Sequence, residues 1–327
     1  MIEYDESAYL QPVPGVKFSE KLVEIDGKNR NFLSWLPESV PGKDVNGIVL
    51  MSHGLHEHAL RYCNVAHPFT SAGLAVYAID HAAHGKSDGE RGLIQDYKVL
   101  PSDFAKFAAT ARSAHPPDTP TFIVCHSMGT LVVLLALQSI PGITAIVFSG
   151  CALFSGPGAS SLFGLRCLFP VSQLSFAPTL AGCMAGLNPR GPAAPVMLDD
   201  VTSDPAERER FLRDPRVRHD NIMNRTAHEL LKMVVAAKAA LPAVRAPFLA
   251  LHGAADAVTL PRGSEALHAG AGTPPAQRAL ELVPQLRHDI FHERQPDSAR
   301  CVARAVAYVH TFLSESPPPP PPVVLPQ

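Results

Sequence analysis

Four stretches of this chain carry side chains that could make and break bonds. In Thr121-Phe-Ile-Val-Cys-His-Ser-Met-Gly-Thr130 an apolar run leads into a serine, and small residues, Cys125 and Gly129, stand two places before and after it. A buried strand that turns sharply into a helix can hold a serine at its apex with the hydroxyl toward the helix N-terminus, and so tight a turn demands small neighbours. Ser127 is therefore the candidate nucleophile. The usual pattern is Gly-x-Ser-x-Gly; here Cys125 replaces the first glycine, and cysteine is small enough for the turn to survive.

A serine hydroxyl is a weak nucleophile at neutral pH and needs an adjacent base. In the chain order Ser…Asp…His the acid and the base lie downstream. Phe248-Leu-Ala-Leu-His-Gly-Ala-Ala-Asp256 supplies the acid, Asp256, after a strand and a glycine turn. Leu286-Arg-His-Asp-Ile-Phe-His-Glu293 supplies the base. His288 is favoured because it follows the apolar segment 279–283 and a proline; His292 is a rival one helical turn further on. Asp289 is the poorer acid, because an adjacent loop residue rarely points at its neighbour's ring.

The fourth stretch is Met51-Ser-His-Gly-Leu-His-Glu-His-Ala-Leu-Arg-Tyr62. In a sheet of this kind the loop after such a strand gives one oxyanion-hole amide, and the residue after the nucleophile gives the other. That assigns Leu55 and Met128, with His53 and Gly54 shaping the loop. Three histidines and a glutamate in six residues also suggest a metal, but hydrolytic metal motifs space their histidines differently. Serine chemistry needs neither metal nor cofactor, and none is expected. Asp80-His-Ala-Ala-His-Gly-Lys-Ser-Asp88 reads as a glycine-containing loop braced by hydrogen bonds.

The elements that must position these groups are legible as short apolar runs alternating with helical patterns. Segments 47–51, 75–79, 121–124, 145–148 and 248–251 read as buried strands. Segments 16–25 and 30–36 read as antiparallel edge strands. Helices are expected over 58–72, 98–114, 128–138, 226–240, 262–269 and 297–313. The fold class is α/β, a mostly parallel central sheet with helices on both faces. From about 154 to 240 no clear buried strand occurs, which points to a helical cap inserted into the core. The expected division is core 1–153, cap 154–240, core 241–315 and a proline-rich, extended tail 316–327.

Bulk properties narrow the function. The chain has 327 residues with a net charge of −2, so there is no electrostatic case for nucleic acid. Its six cysteines show no CxxC pair, which reads as reduced thiols in a cytoplasmic setting. The acidic start, Met1-Ile-Glu-Tyr-Asp-Glu-Ser, does not read as a signal peptide. The apolar stretch 131–140 falls short of the roughly 20 residues that span a bilayer.

Taken together, the segments resemble the monoglyceride lipase family of α/β-hydrolases, also described as serine aminopeptidase-like or lysophospholipase-like. Its H-G-x-x-E-H stands here as His53-Gly-Leu-His-Glu-His58, and its D-x-x-G-H-G-x-S as Asp80-His-Ala-Ala-His-Gly-Lys-Ser87 with Ala83 for a glycine. Its G-H-S-M-G-G stands as Cys125-His-Ser-Met-Gly-Thr130, its H-G-x-x-D as His252-Gly-Ala-Ala-Asp256, and its H-E-x-x-x-E as His288-Asp-Ile-Phe-His-Glu293. The resemblance spans roughly residues 20–313. It implies the α/β-hydrolase fold, a cap, and hydrolysis of monoacylglycerol to glycerol and fatty acid through an acyl-enzyme. A lysophospholipase, a short-chain carboxylesterase, or an inactive hydrolase-fold binding protein are the alternatives. The resemblance further implies that Glu57 and Arg61 help bind the glycerol head group, the competing reading being an exposed ion pair. A lipid ester is the expected partner. Leu153, Phe154, Leu162, Phe163, Leu165, Leu168 and Phe169, interleaved with Gly and Ser, suggest a mobile cap in peripheral contact with membranes; packing of the cap onto the core competes with that reading.

Overall fold

Eight strands form one sheet in which six consecutive strands run parallel, and the candidate residues all follow the C-terminal ends of strands among those six. A computed structural model describes residues 13–38, 45–155, 161–162, 165–166 and 177–313, with backbone alone for 161–162, 165–166 and 177–180. The strands are β1 (Val16–Ile25), β2 (Lys28–Pro37), β3 (Gly47–Ser52), β4 (Leu74–Ile79), β5 (Thr121–His126), β6 (Ile143–Ser149), the two-residue β7 (Ser161–Leu162) and β8 (Leu165–Arg166), β9 (Pro192–Ala194), β10 (Ile222–Met223), β11 (Phe248–Gly253) and β12 (Arg278–Val283). The main sheet has the order β1-β2-β4-β3-β5-β6-β11-β12. β1 and β2 are antiparallel at one edge, and the other pairings are parallel. The expected α/β class with two antiparallel edge strands is what the chain adopts.

Local chemistry explains the elements. β3, β5 and β11 are buried at every residue, the signature of strands covered on both faces. β1 and β2 are joined by Asp26-Gly27, both at positive φ (51° and 73°), a two-residue turn whose twist matches that of its strands. The helices are α1 (Cys63–Ser71), α2 (Val99–Arg112), α3 (Met128–Ala136), α4 (Ala177–Leu187), α5 (Leu198–Val201), α6 (Pro205–Arg213), α7 (Asn224–Ala240), α8 (Arg262–Gly270) and α9 (Asp297–His310). The single helix expected over 58–72 is a 3-10 turn, Ala59–Tyr62, followed by α1. The two cores lie on opposite faces of the sheet. One gathers Phe104, Phe107, Leu131 and Phe148; the other gathers Trp35, Phe69, Phe122 and Val302.

The chain leaves the sheet at Ser149 and returns at Phe248, and described elements α4 to α7 with β7 to β10 lie between. Only very short strands occur there among the described residues. α7 packs on α3 as well as on α4, and its Met233 and Ala237 join the main core. One face of the last helix of the insertion is thus packed into the molecule's interior. Of the apolar residues expected to face lipid, Phe163, Leu168 and Phe169 lie outside the described residues, as does the tail from 314 onward. Among the described residues no helix is long and apolar enough to cross a membrane.

Candidate active site

Ser127 sits between β5 and α3 with φ 51° and ψ −123°. A non-glycine residue in such a conformation costs on the order of 1–3 kcal/mol and persists only where its surroundings dictate it. Here they do. The Ser127 amide donates to Ser149 O at 3.0 Å. A Cβ at Gly129 would fall on the carbonyl oxygens of Ser52 and His53, so this position accepts only glycine. Neither departure from the elbow's glycine pattern disrupts it. Cys125 is buried in the core, with its thiol donating to Val147 O at 3.6 Å. Thr130 adds two bonds: its hydroxyl donates to Ser127 O at 2.6 Å and accepts from the Ala152 amide at 3.1 Å.

His288 lies on the loop after β12, and its Nε2 is 2.8 Å from Ser127 Oγ while its Nδ1 is 2.8 Å from Asp256 Oδ2. Asp256 is buried. Its Oδ1 accepts the amides of Val258 and Thr259 at 2.8 and 2.9 Å, and its Oδ2 also meets the Thr259 hydroxyl at 3.0 Å and His252 Nε2 at 3.0 Å. Burial, the largest influence, pushes the carboxyl upward. The positive His288 beside it and the hydrogen bonds from His252 and His288 outweigh burial and hold Asp256 well below the usual carboxylate range. Burial likewise pushes His288 down, but the Asp256 charge and hydrogen bond raise it above the ordinary imidazole value. Thr259 and His252 carried no sequence assignment. An aspartate with a threonine three places on is a side-chain-to-backbone turn pattern, and that is the signal that could have found Thr259.

The other two histidine-loop candidates are placed differently. His292 Nδ1 lies 2.9 Å from both oxygens of Asp289, and its Nε2 donates to Arg61 O at 2.9 Å. Acceptors face both ring nitrogens, so His292 is an imidazolium. Burial opposes that charge, but Asp289 raises the group to about 9. The structure therefore joins Asp256, and not Asp289, to His288.

The loop after β3 runs beside the nucleophile: a side chain at Gly54 would come 3.1 Å from Ser127 Cβ. Its shape is fixed by His53. Burial first, then the nearby His84, push His53 down to about 3, so the ring is neutral. His53 Nε2 accepts the His81 amide at 3.0 Å, which leaves Nδ1 to donate to Gly54 O at 2.7 Å. The Gly54 amide donates to Glu57 Oε1 at 2.5 Å. Among the described residues no acceptor takes the amide of Leu55 or of Met128.

Glu57 and Arg61 form an ion pair at 3.2 Å, but not an exposed one: both are buried. Glu57 also accepts from Tyr62 Oη at 2.7 Å. Arg61 reaches Glu207 of α6 at 3.1 Å and Asp289 at 3.4 Å, and its guanidinium lies 5.0 Å from the Phe211 ring centroid. Burial, the largest influence, raises the Glu57 carboxyl, but Arg61 together with His126 and His53 outweighs it and holds the group below the usual carboxylate range. His58 Nε2 is 2.7 Å from Asp214 Oδ2. His53, Glu57 and His58 thus face different partners. Among the described residues no group of three or more His, Cys, Asp or Glu side chains is placed to hold a metal ion. Asp80 braces the next loop, accepting from Ala59 N, Lys86 N and Asn31 Nδ2 at 2.7–2.9 Å.

Comparison with known proteins bears on this geometry. Residues 43–295 match the hydrolase family described as serine aminopeptidase, S33. A monoacylglycerol lipase of Mycolicibacterium smegmatis is 30% identical over 260 residues, 79% of this chain and 85% of that protein. A caffeoylshikimate esterase of Arabidopsis thaliana is 27% identical over 309 residues, 92% of this chain and 83% of that one. The crystal structure of a soluble variant of Saccharomyces cerevisiae monoglyceride lipase, in complex with a substrate analog, superposes with a TM-score of 0.74 at 20% identity. It covers 89% of this chain and 94% of that one, and shares the fold. The chain belongs to the serine aminopeptidase S33 family and, within it, to the monoglyceride lipases of the α/β-hydrolase fold, and it is a carboxylic ester hydrolase.

Proposed function

We propose that this chain hydrolyses monoacylglycerols to glycerol and fatty acid through an acyl-enzyme on Ser127. The observation that carries the reading is the continuous relay Ser127–His288–Asp256, with both links at 2.8 Å. His288 Nε2 takes the hydroxyl proton as Ser127 Oγ attacks the ester carbonyl. It returns that proton to the departing glycerol oxygen, then activates water against the acyl-enzyme. Asp256 fixes the imidazole tautomer and stabilises its cation. The Leu55 and Met128 amides stabilise the oxyanion, a contribution of about 2.7–4 kcal/mol for each donor.

The choice of monoacylglycerol rests on the M. smegmatis relative. Glu57 and Arg61 act on the glycerol site through the loop they hold: Glu57 fixes the Gly54 amide beside Leu55, and Arg61 is enclosed by carboxylates. The inserted region 154–240 covers the site as a cap and meets the lipid surface. The setting is cytoplasmic, with peripheral contact at membranes; Cys63, Cys125, Cys151, Cys183 and Cys301 are free thiols.

Hydrolysis of 1- and 2-monoacylglycerols, lysophosphatidylcholine, hydroxycinnamoyl esters and p-nitrophenyl esters of graded length tests the reading. The monoacylglycerols should give the highest kcat/KM. A preference for lysophosphatidylcholine or for the hydroxycinnamoyl ester, the latter in line with the A. thaliana relative, would overturn the substrate. Failure of a fluorophosphonate to label Ser127 in folded protein would overturn the chemistry.

A further inference from the structure

His288 has no regular secondary structure around it: residues 286–289 are neither helix nor strand. Yet its two hydrogen bonds leave little slack, and a misplacement of about 1 Å in such a site costs on the order of 10²-fold in rate. The loop must therefore be fixed from outside. The amides on both sides of the histidine are anchored, and both anchors end in one short stretch of the insertion. The Asp289 amide donates to Val201 O at 2.8 Å. The Arg287 amide donates to Glu293 Oε1 at 3.1 Å, and Glu293 Oε2 accepts the Ser203 amide at 3.0 Å and the Ser203 hydroxyl at 2.5 Å. The Thr202 hydroxyl donates to His292 O at 2.8 Å and lies 3.4 Å from Glu293 Oε2.

We propose that Glu293, with Thr202 and Ser203, is a positioning clamp for the catalytic base, through which the insertion sets the place of His288. The chemistry requires a carboxylate. Glu293 is 3% exposed and receives donors on both oxygens, from the base loop on one side and the insertion on the other. An ionised carboxylate accepts at both oxygens, whereas an amide has one acceptor and one donor end. Glutamine at this position can keep one side of the clamp and must oppose the other with its own N–H groups. The cap and the base are on this view one mechanical unit.

The proposal rests on His288 being the base, and its test separates the two. In the full-length protein, Glu293→Gln, Ser203→Ala, Ser203→Thr and His288→Ala are compared on a soluble short-chain ester. The readouts are kcat, KM, the acid limb of kcat/KM, and melting temperature. Glu293→Gln should lower kcat by on the order of 10²-fold with KM little changed. Its acid limb should shift down toward the ordinary imidazole value, because a slack loop weakens the Asp256 bond that raises His288. Ser203→Ala should show the same pattern more mildly, and Ser203→Thr, which keeps the hydroxyl, should restore it. If Glu293→Gln does not fold, the Ser203 pair decides. A wild-type kcat and pH profile in folded Glu293→Gln or in Ser203→Ala, beside an inactive His288→Ala, overturns the clamp alone. Normal turnover by His288→Ala overturns the base assignment beneath it.

Discussion

His292 and Asp289 are locked together by a two-pronged contact, 2.9 Å from Nδ1 to each carboxylate oxygen, in a site where both residues are buried. The pair removes each from competition with its neighbour in the relay, since His292 has no free nitrogen lone pair and Asp289 is turned away from His288. It also links stability to pH. The folded-state value of His292, about 9, lies above the 6.5 of a free imidazole. The stabilisation is therefore complete below pH 6.5 and is lost as pH rises through about 9. Urea unfolding of wild type and His292→Asn from neutral to alkaline pH checks this. The variant should be less stable at neutral pH by up to about 3–5 kcal/mol, as for a broken buried pair, and the gap should close as the pH rises through that value. A gap independent of pH would contradict the pairing.

Thr259 Oγ1 lies 3.0 Å from Asp256 Oδ2 and 3.1 Å from His288 Nδ1. Its removal takes a hydroxyl donor from an ionised carboxylate, worth about 1.5–3 kcal/mol. Thr259→Val should lower kcat/KM by about tenfold or more, whereas Thr259→Ser should stay near wild type. Equal activity in both variants would mean that the hydroxyl is idle.

Activity should fall on the acid side with a midpoint above 6.5, because Asp256 raises His288 and a protonated imidazole cannot accept the serine proton. Asp256→Asn removes the charge that raises it, so the midpoint should drop toward or below the ordinary imidazole value and kcat should fall by on the order of 10⁴. The pH profile of kcat/KM on a p-nitrophenyl ester measures both.

How much of this was legible beforehand depends on how local the cause is. The Ser127 elbow could be read because strand, small residues and helix are contiguous in sequence. Asp256 and His288 could be read because each follows an apolar run that had to end at the same sheet edge. Glu57 and Arg61 show the limit. Their spacing of four gives an ion pair, but burial comes from Glu207 and Asp289, which arrive from segments far along the chain. Ser203 and Thr202 carry no local pattern at all; only the docking of the insertion against the base loop brings them to Glu293. The expected helix over 58–72 begins as a 3-10 turn, where Asp80 Oδ1 captures the Ala59 amide at 2.7 Å, a tertiary contact that periodicity cannot report.

The proposed oxyanion donors act through backbone, so side-chain size at these positions should matter little. Leu55→Ala should keep most activity. Leu55→Pro deletes the N–H and should cost about 2.7–4 kcal/mol of transition-state stabilisation, on the order of 10²–10³ in kcat. Circular dichroism establishes that both are folded. Indistinguishable kinetics would exclude Leu55 as a donor.

The central claim is a covalent acyl-enzyme on Ser127, and rapid acid quench followed by peptide mass spectrometry tests it most directly. Enzyme mixed with excess monoacylglycerol and stopped during turnover should carry one acyl group, in place of one hydrogen, on the peptide containing Ser127. Ser127→Ala should carry none and should lose on the order of 10⁶ in kcat. An adduct on another residue, or near-normal turnover by Ser127→Ala, would contradict the account.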